Sequence, residues 1–294
     1  MNAFQKNIGG TLLMSVGAVL FAQVLASEPA VSTQVGSLAR VSINLLVSVL
    51  LYHALGLQHP GTGLWGKQRK MLIVWGLLGS LTIISFFCSL SRSGVGSATF
   101  LLSTSGAFLI LFQALTQRRA PSYIQLGIAG VCLVGASLVS ATDATLLANP
   151  GLWWGLLSGC AAAAAYTLVG EHIRDESTFS MMFYWSAVNL VVHLLWLSTG
   201  SFRWPEKGSS WVYLGASGLI AALGQYWVTA SFQIKDNARV GLIGYLGGVF
   251  SMAMQIIFLG QSFTVLQCLG AALMMTPLLT KGLMGRRQGA LLGN

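Results

Sequence analysis

Polar side chains are rare in the long apolar runs of this 294-residue sequence, and those that occur are the first candidates for chemistry. A polar group in hydrocarbon costs free energy unless it faces protein or a water-filled cavity, so such groups mark binding sites or helix contacts. One set offers aromatic faces and neutral hydrogen-bonding tips, which suit amphipathic solutes that must bind and also leave. For each member the alternative role is a satisfied structural hydrogen bond. The set is Gln23, Ser103, Ser105, Tyr166, Gln225, Tyr226, Tyr245 and Gln255.

Two further polar groups are defined by helical spacing. Arg40 and Asn44 lie four residues apart and therefore share one helix face. Such a pair can bind an anion or a carboxylate, but a snorkelling arginine that caps carbonyls, beside an asparagine that joins two helices, also explains it. Asn189 and His193 continue a stripe from Trp185 at four-residue steps, which either lines a path or packs against another helix.

The sequence contains no pattern typical of a metal, nucleotide or catalytic site. The four cysteines stand singly in apolar runs, the carboxylates do not cluster, and no glycine-rich stretch has the lysine of a P-loop. Residues 215–218 match the GxSG motif of rhomboid-type proteases, which pair it with a later histidine, but all four histidines precede Ser217. We therefore predict no catalytic residue, no metal and no cofactor. An intramembrane enzyme, or a lipid-handling or structural membrane protein, remains the alternative.

The candidate residues are carried by apolar runs long enough to cross a membrane. Only 8% of the residues are charged and 54% are hydrophobic, whereas about a quarter are charged in soluble domains. The first run, which follows Lys6, also resembles a signal peptide, but its length favours a membrane helix. We predict an all-α integral membrane protein with ten transmembrane spans, near 8–26, 34–56, 71–91, 95–114, 122–141, 151–171, 178–198, 211–233, 239–259 and 264–283.

The basic residues predict how the spans are oriented. If the amino terminus is cytoplasmic, 12 of the 16 Lys and Arg residues fall on the inner side. This distribution follows the positive-inside rule and predicts that both termini are cytoplasmic in an inner membrane. The net charge of +9 therefore reflects membrane topology, and we predict no nucleic-acid partner.

The acidic residues bear on energy coupling. All seven Asp and Glu residues fall in loops or at the ends of spans. Proton-coupled carriers commonly use a carboxylate buried in mid-membrane, and this sequence has none at that depth. We predict a flux that is set by substrate gradients, either as facilitated diffusion or as exchange.

The chain also resembles itself weakly at a shift of about 142 residues. Ser89 then aligns with Ser231, and Gly106 with Gly248. We predict two repeats, 1–143 and 144–284, followed by a cytoplasmic tail at 285–294. Because five spans is an odd number, the second repeat is inverted relative to the first, which is typical of alternating-access transporters.

Two segments resemble the EamA-type drug/metabolite transporters. Residues 86–98 are similar to the aromatic-rich end of that family's third helix and the start of the fourth, and residues 238–273 are similar to its ninth and tenth helices. Two features depart from the family pattern. Gly106 and Gly248 stand where proline is usual, and Gln261 stands where glutamate is usual, with Arg119 at the matching place in the first half.

The resemblance implies where a substrate would bind. In the family, spans one, three, four, six, eight and nine surround a central cavity, and the eight candidates of the first set lie on these spans. Span seven, which carries Asn189 and His193, would be peripheral. The implied function is alternating-access transport of small metabolites or amphipathic compounds, more often outward. The implied partners are the substrate and the lipid bilayer, and a homodimer is left open.

Overall fold

The structure is a computed structural model that describes residues 1–55, 63–116, 118, 120–121, 123–139, 149–198, 202–234 and 238–276. Helices joined by short connections make up this part of the chain, and it contains no strand. The predicted tail at 285–294 and Arg119 lie outside the described residues.

The helices follow the predicted spans in number and order. The third and fourth spans together form α3 and α4, and the ninth forms α9 and α10 with a short 3-10 turn between them, Leu242–Gly244. The sixth span ends in a π-helical turn, Val169–Ile173. The helices are α1 (Ala3–Ser27), α2 (Thr33–Leu55), α3 (Arg69–Ser103), α4 (Ser105–Thr116), α5 (Tyr123–Val139), α6 (Pro150–Leu168), α7 (Thr178–Leu197), α8 (Gly208–Phe232), α9 (Ala238–Gly241), α10 (Tyr245–Leu259) and α11 (Val265–Thr276).

Length and composition make this an integral membrane protein. Five of the described helical stretches are long and apolar enough to cross a bilayer, and three shorter helices are also apolar. One of the five, Arg69–Thr116, has 48 residues and holds two predicted spans. The prediction of an all-α membrane protein is therefore confirmed.

Gly94 separates the two spans within α3. Its φ of 75° and ψ of 167° lie outside the helical region, in a conformation that side chains other than hydrogen rarely tolerate. The chain reverses there, so 69–93 and 95–103 run in opposite directions across the membrane. The predicted break at Arg92, Ser93 and Gly94 is thus at the position where the structure turns.

The fourth and ninth spans are both interrupted where they cross. Thr104 separates α3 from α4, and the 3-10 turn separates α9 from α10. At this crossing a Cβ added to Gly106 would lie 2.9 Å from the carbonyl oxygen of Gly241, so only glycine allows the backbones to approach this closely. Interrupted helices at membrane depth are tolerated where they are enclosed by protein or line a cavity.

The packing of the helices repeats with a shift of five spans. α1 packs most extensively on α8, and its counterpart α6 packs most extensively on α3. In the same relation α2 lies against α8 and α7 against α3, while α1 contacts α10 as α6 contacts α4. Such a pattern is expected for two inverted repeats, whose bounds stay a prediction.

A glutamate at each end of the bundle caps a helix from the other half. The Glu176 carboxylate accepts the backbone N–H groups of Lys67, at 2.9 and 3.0 Å, and of Gln68, at 2.6 Å, before α3. At the opposite end, the Glu28 carboxylate accepts those of Glu206, at 2.8 Å, and Lys207, at 3.1 Å, before α8. Neither α3 nor α8 begins with a side-chain cap of its own. The two ends are named here the Glu176 end and the Glu28 end.

Candidate functional site

A cavity of about 80 Å³ lies among the helices of the bundle. A second cavity of about 40 Å³ adjoins it and shares five lining residues, Met14, Arg40, Phe86, Leu102 and Tyr166. Spans one, two, three, four, six, eight and nine all contribute to the larger cavity. Its other lining residues are Asn7, Thr11, Ser15, Ala18, Thr99, Ser103, Ser105, Val228, Phe232, Gly241, Gly244 and Gly247.

The larger cavity occupies the half of the bundle nearer the Glu176 end. Asn7, Phe232 and Gly241 lie on helix segments close to that end, whereas Arg40 and Phe86 lie about one-third of the way in from the Glu28 end. Arg40 is one-third of the way along α2, about 10 Å of helix rise from the Glu28 end. The lining of the cavity therefore runs from helix segments near the Glu176 end to Arg40 and Phe86.

Aromatic rings form one wall of the cavity. The rings of Tyr166 on α6 and Phe232 on α8 are stacked, with centroids 3.8 Å apart and an angle of 6° between their planes. α6 and α8 both belong to the predicted second repeat, so this stack joins two helices of one repeat at the cavity wall. It offers an apolar face to a solute.

Three hydroxyl groups among the lining residues, those of Ser15, Thr99 and Ser103, donate hydrogen bonds to backbone carbonyls. Ser15 Oγ donates to Gly247 O at 3.0 Å or Thr11 O at 2.9 Å, and Ser103 Oγ to Gly244 O or Thr99 O, both at 2.8 Å. Thr99 Oγ1 donates to the carbonyl of the preceding helix turn at 2.7 Å. A hydroxyl has one proton to donate, so these oxygens can only accept hydrogen bonds from a solute.

Arg40 is the one formally charged side chain among the described residues that line either cavity. It is 8% exposed, and its Nε and Nη2 have no hydrogen-bond partner. Asn44, one turn along α2, is 1% exposed, and both polar atoms of its side chain are also without a partner. Arg40 therefore lines both cavities and has two donors without a partner, while Asn44 lines neither cavity.

An aromatic plug closes the bundle above Arg40, toward the Glu28 end. Phe21 contacts Phe87 edge to face at 5.3 Å, and Phe86 contacts Phe87 at 5.5 Å. All three side chains are buried. The Phe21 ring packs directly on Gly36 of α2, where a Cβ would overlap it. The plug, defined as Phe21, Phe86 and Phe87, separates the cavity from the Glu28 end.

One carboxylate outside the spans has a perturbed acidity. The pKa of Glu28 lies below its usual value because the Ser210 hydroxyl and the backbone N–H of Glu206 donate to the carboxylate. The described residues hold no cluster of His, Cys, Asp or Glu that could bind a metal ion. Ser217 of the GxSG motif donates to the carbonyl of Gly17 at 2.6 Å and thus joins α8 to α1.

Comparisons with known proteins agree with this architecture. Residues 149–279 match the model of the EamA-like transporter family. The chain is 26% identical over 267 residues to the pseudopaline exporter CntI of Pseudomonas aeruginosa, covering 90% of this chain and 92% of that protein. It is 24% identical over 229 residues to the uncharacterized inner membrane transporter YicL of Salmonella typhimurium, covering 76% of each.

A more distant relative and a solved structure extend the likeness. Human solute carrier family 35 member G1 is 24% identical over 261 residues, covering 84% of this chain and 69% of that protein. One crystal structure matches with a TM-score of 0.74 at 15% sequence identity, covering 97% of this chain and 98% of the other. At this identity the match shows a similar fold and nothing more. The second half of the chain thus carries a match to the EamA-like transporter family, and the relatives are named exporters or transporters. The protein is accordingly a membrane transporter, and the relatives' names give no support to an enzyme.

Four of the eight candidates of the first set line the two cavities. Ser103, Ser105 and Tyr166 line the larger cavity, and Gln225 lines the smaller one. Their part in binding a substrate stays a prediction. Gln225 also donates from Nε2 to Thr229 Oγ1 at 3.1 Å within α8.

The other four lie outside both cavities as the structure describes them. Tyr245 is fully buried behind the crossing of the fourth and ninth spans, beside Gly106. Gln255 is buried and donates to Ser251 O at 3.0 Å in its own helix. Tyr226 packs its ring near Phe179, and Gln23 is half-buried on α1.

The polar stripe of α7 packs against α3. Asn189 Nδ2 donates to Gly76 O at 3.3 Å and to Trp185 O at 2.7 Å, and His193 Nδ1 lies 2.8 Å from Asn189 O. Neither Asn189 nor His193 lines a described cavity, whereas Trp185 lines the smaller one. The contacts of the stripe are thus those of an interhelical joint.

The structure also brings polar residues of α1 to the cavity that the sequence analysis did not select. Asn7 Nδ2 donates to Ser231 Oγ at 2.9 Å, and Thr11 Oγ1 donates to Asn7 Oδ1 at 3.2 Å. Asn7, Thr11 and Ser15 stand four residues apart, so one polar helix face was visible in the sequence. Their short side chains within an apolar run made that signal weak.

Proposed function

We propose that the protein exports small metabolites or amphipathic compounds across the inner membrane by alternating access. The observation that carries this proposal is a cavity lined by seven of the spans, with buried aromatic rings between it and the Glu28 end. A relative named an exporter, similar over most of both chains, supports the direction. In this proposal the repeats are 1–143 and 144–284, and rocking one against the other exposes the cavity alternately.

The basic residues support a cytoplasmic Glu176 end. Among the described residues, Lys6, Arg69, Lys70, Arg118 and Arg174 belong to that end, while Arg92, Arg203 and Lys207 belong to the Glu28 end. The positive-inside rule then assigns the Glu176 end to the cytoplasm. In this proposal the substrate of an exporter is loaded at the Glu176 end, from the cytoplasm.

The energy for transport comes, in this proposal, from the substrate's own gradient or from exchange. The described residues place no carboxylate in either cavity, so the lining offers no acid for proton coupling. An imposed pH gradient should then cause no accumulation in vesicles that lack a substrate gradient. Accumulation driven by pH alone would contradict this part of the proposal.

Transport is tested with purified protein in sealed proteoliposomes. Amino acids, nucleosides, vitamins and cationic dyes are loaded as separate panels, and efflux is compared with protein-free liposomes. A carrier gives efflux of at least one class that saturates with concentration and leaves the compounds chemically unchanged. Turnover of a compound without vesicle closure would instead establish an enzyme.

Topology is tested by labelling single cysteines in a variant that lacks the four native ones. Cysteines at Lys70 and Ala30 are compared because both positions are exposed and lie at opposite ends of the bundle. In intact cells an impermeant thiol reagent should label the Ala30→Cys variant and leave the Lys70→Cys variant unlabelled until the cells are opened. The reverse pattern would place the cavity mouth outside and refute loading from the cytoplasm.

A further inference from the structure

We propose that the transported substrate is a monoanion, with a carboxylate that Arg40 binds at the inner limit of the cavity. This inference rests on the proposed transport function and names the substrate class of the same site. The structural basis is an arginine that is 8% exposed, lines both cavities and has two side-chain nitrogen atoms without partners.

The charge of Arg40 is not compensated by the protein residues around the cavity. Acidic side chains of the described chain lie at the two ends of the bundle, in the connections of Glu28, Asp175, Glu176 and Glu206 and in the π-helical turn of Glu171. A guanidinium that is buried without a partner is costly, and an ion of opposite charge with good hydrogen bonds removes most of that cost. A bound anion would supply this partner, and α2 would fix the position of Arg40 before the anion binds.

The other polar groups of the wall indicate where the anion binds. The hydroxyl groups of Ser15, Thr99 and Ser103 donate hydrogen bonds to backbone carbonyls, so that only their lone pairs are left for a ligand. Those lone pairs repel an anion but accept N–H or O–H donors from the remainder of a substrate. The arrangement therefore directs the anionic group to Arg40 and the neutral or donor part toward Ser15 and Ser103.

One arginine also limits the charge of the ligand. A carboxylate has one negative charge and matches the planar guanidinium with two parallel hydrogen bonds. A phosphate monoester carries roughly 1.5 to 2 negative charges at neutral pH and would leave buried charge uncompensated. The phosphodiester of a lipid headgroup also carries one negative charge. The experiment must therefore distinguish a soluble carboxylate from a lipid.

The test compares matched carboxylates and amides on the purified full-length protein in detergent. Benzoate, phenylacetate and indole-3-acetate are titrated beside benzamide, phenylacetamide and indole-3-acetamide, and binding is measured from the rise in unfolding temperature. We expect the acid of a pair to bind more tightly than its amide. Arg40→Gln should weaken acid binding about 10- to 100-fold and leave amide binding unchanged, as expected for loss of a charged hydrogen bond. The affinity of Arg40→Lys for acids should lie between those of the wild type and Arg40→Gln. Lysine keeps the positive charge but lacks the planar guanidinium that makes two parallel hydrogen bonds.

Two further measurements guard against a purely structural effect. Arg92→Gln is the matched control, because Arg92 is exposed and donates to Cys88 O at 2.9 Å outside the cavity, and it should bind acids as the wild type does. In the wild type, phenylglyoxal should modify Arg40, as followed by mass spectrometry, and the acids should slow this reaction while the amides do not. This second readout needs no variant to fold.

Several outcomes would overturn the proposal. Equal binding of acids and amides, or no binding by any acid, would remove the anion requirement. A preference for acids that survives in Arg40→Gln would place the anion elsewhere. Protection of Arg40 by phosphatidylglycerol and not by any carboxylate would identify the ligand as lipid. Because binding in detergent is independent of flux, failure of the efflux assay with intact acid binding would refute the transport proposal alone.

Discussion

Replacing Glu176 with alanine should destabilise the protein far more than replacing the acid beside it. The Glu176 carboxylate is 8% exposed and accepts the N–H groups of Lys67 and Gln68, the latter at 2.6 Å, at the start of α3. Each hydrogen bond to a charged group contributes about 1.5–3 kcal/mol, and loss of a helix cap costs about 0.5–2 kcal/mol. The two donors share one carboxylate, so we expect a loss of roughly 2–4 kcal/mol in the free energy of unfolding.

Thermal unfolding in detergent measures this loss. At about 2–4 °C per kcal/mol, Glu176→Ala should lower the unfolding temperature by roughly 4–16 °C. Asp175→Ala is the control, because its side chain is 91% exposed and its one ion pair, with Arg174, spans 3.7 Å. That variant should change the unfolding temperature by no more than about 2 °C. Equal shifts for the two variants, or no shift for Glu176→Ala, would refute the assignment of Glu176 as the cap of α3.

Three other predictions follow from contacts in the bundle. Gly224→Ala should destabilise the protein by at least about 1 kcal/mol, because its Cβ would lie 2.7 Å from Gly10 O, whereas Gly215→Ala on the same helix meets nothing within 4 Å and should be neutral or stabilising; equal unfolding temperatures would contradict this. Phe21→Ala should open the aromatic plug, so that a cysteine at Thr11 reacts with thiol reagents from both membrane faces; labelling that remains confined to the cytoplasmic face would show that the plug is not the seal. The pKa of Glu28 is lowered from 4.5, so its contribution to stability is complete above pH 4.5 and is lost as the pH falls through the lowered value. Unfolding temperatures between pH 6 and 3 should therefore fall more steeply for the wild type than for Glu28→Gln, and parallel curves would exclude the effect.

The sequence predicted the types of polar residue at the candidate site better than it predicted which of those residues line a cavity. Polar residues were found because each stands out locally in apolar sequence, and Ser103, Ser105, Tyr166 and Gln225 do line cavities. Tyr245 and Gln255 are equally conspicuous in the sequence, yet they are buried outside the cavities. In a membrane both the lipid-facing and the buried faces of a helix are apolar, so hydropathy does not show which face is turned toward a cavity.

The position of Arg40 in a cavity could not be predicted from the sequence either. Its spacing from Asn44 was visible, but a snorkelling arginine and a cavity ligand have the same sequence pattern. The distinction depends on how α2 is rotated against α1 and α8, which local sequence does not specify. Once α2 is placed, Arg40 lines both cavities and Asn44 lines neither.

The sequence by itself determined the membrane class, the order of the helical spans and most of their breaks. These properties follow from the local cost of exposing polar groups to hydrocarbon and from the backbone freedom of residues such as Gly94, and both act over a few neighbouring residues. Only the tertiary structure decided that Glu176 caps α3, that Tyr166 stacks on Phe232, and that the cavity ends at the aromatic plug. Each of these contacts joins residues at least 60 positions apart, so it forms only when helices distant in the sequence pack together.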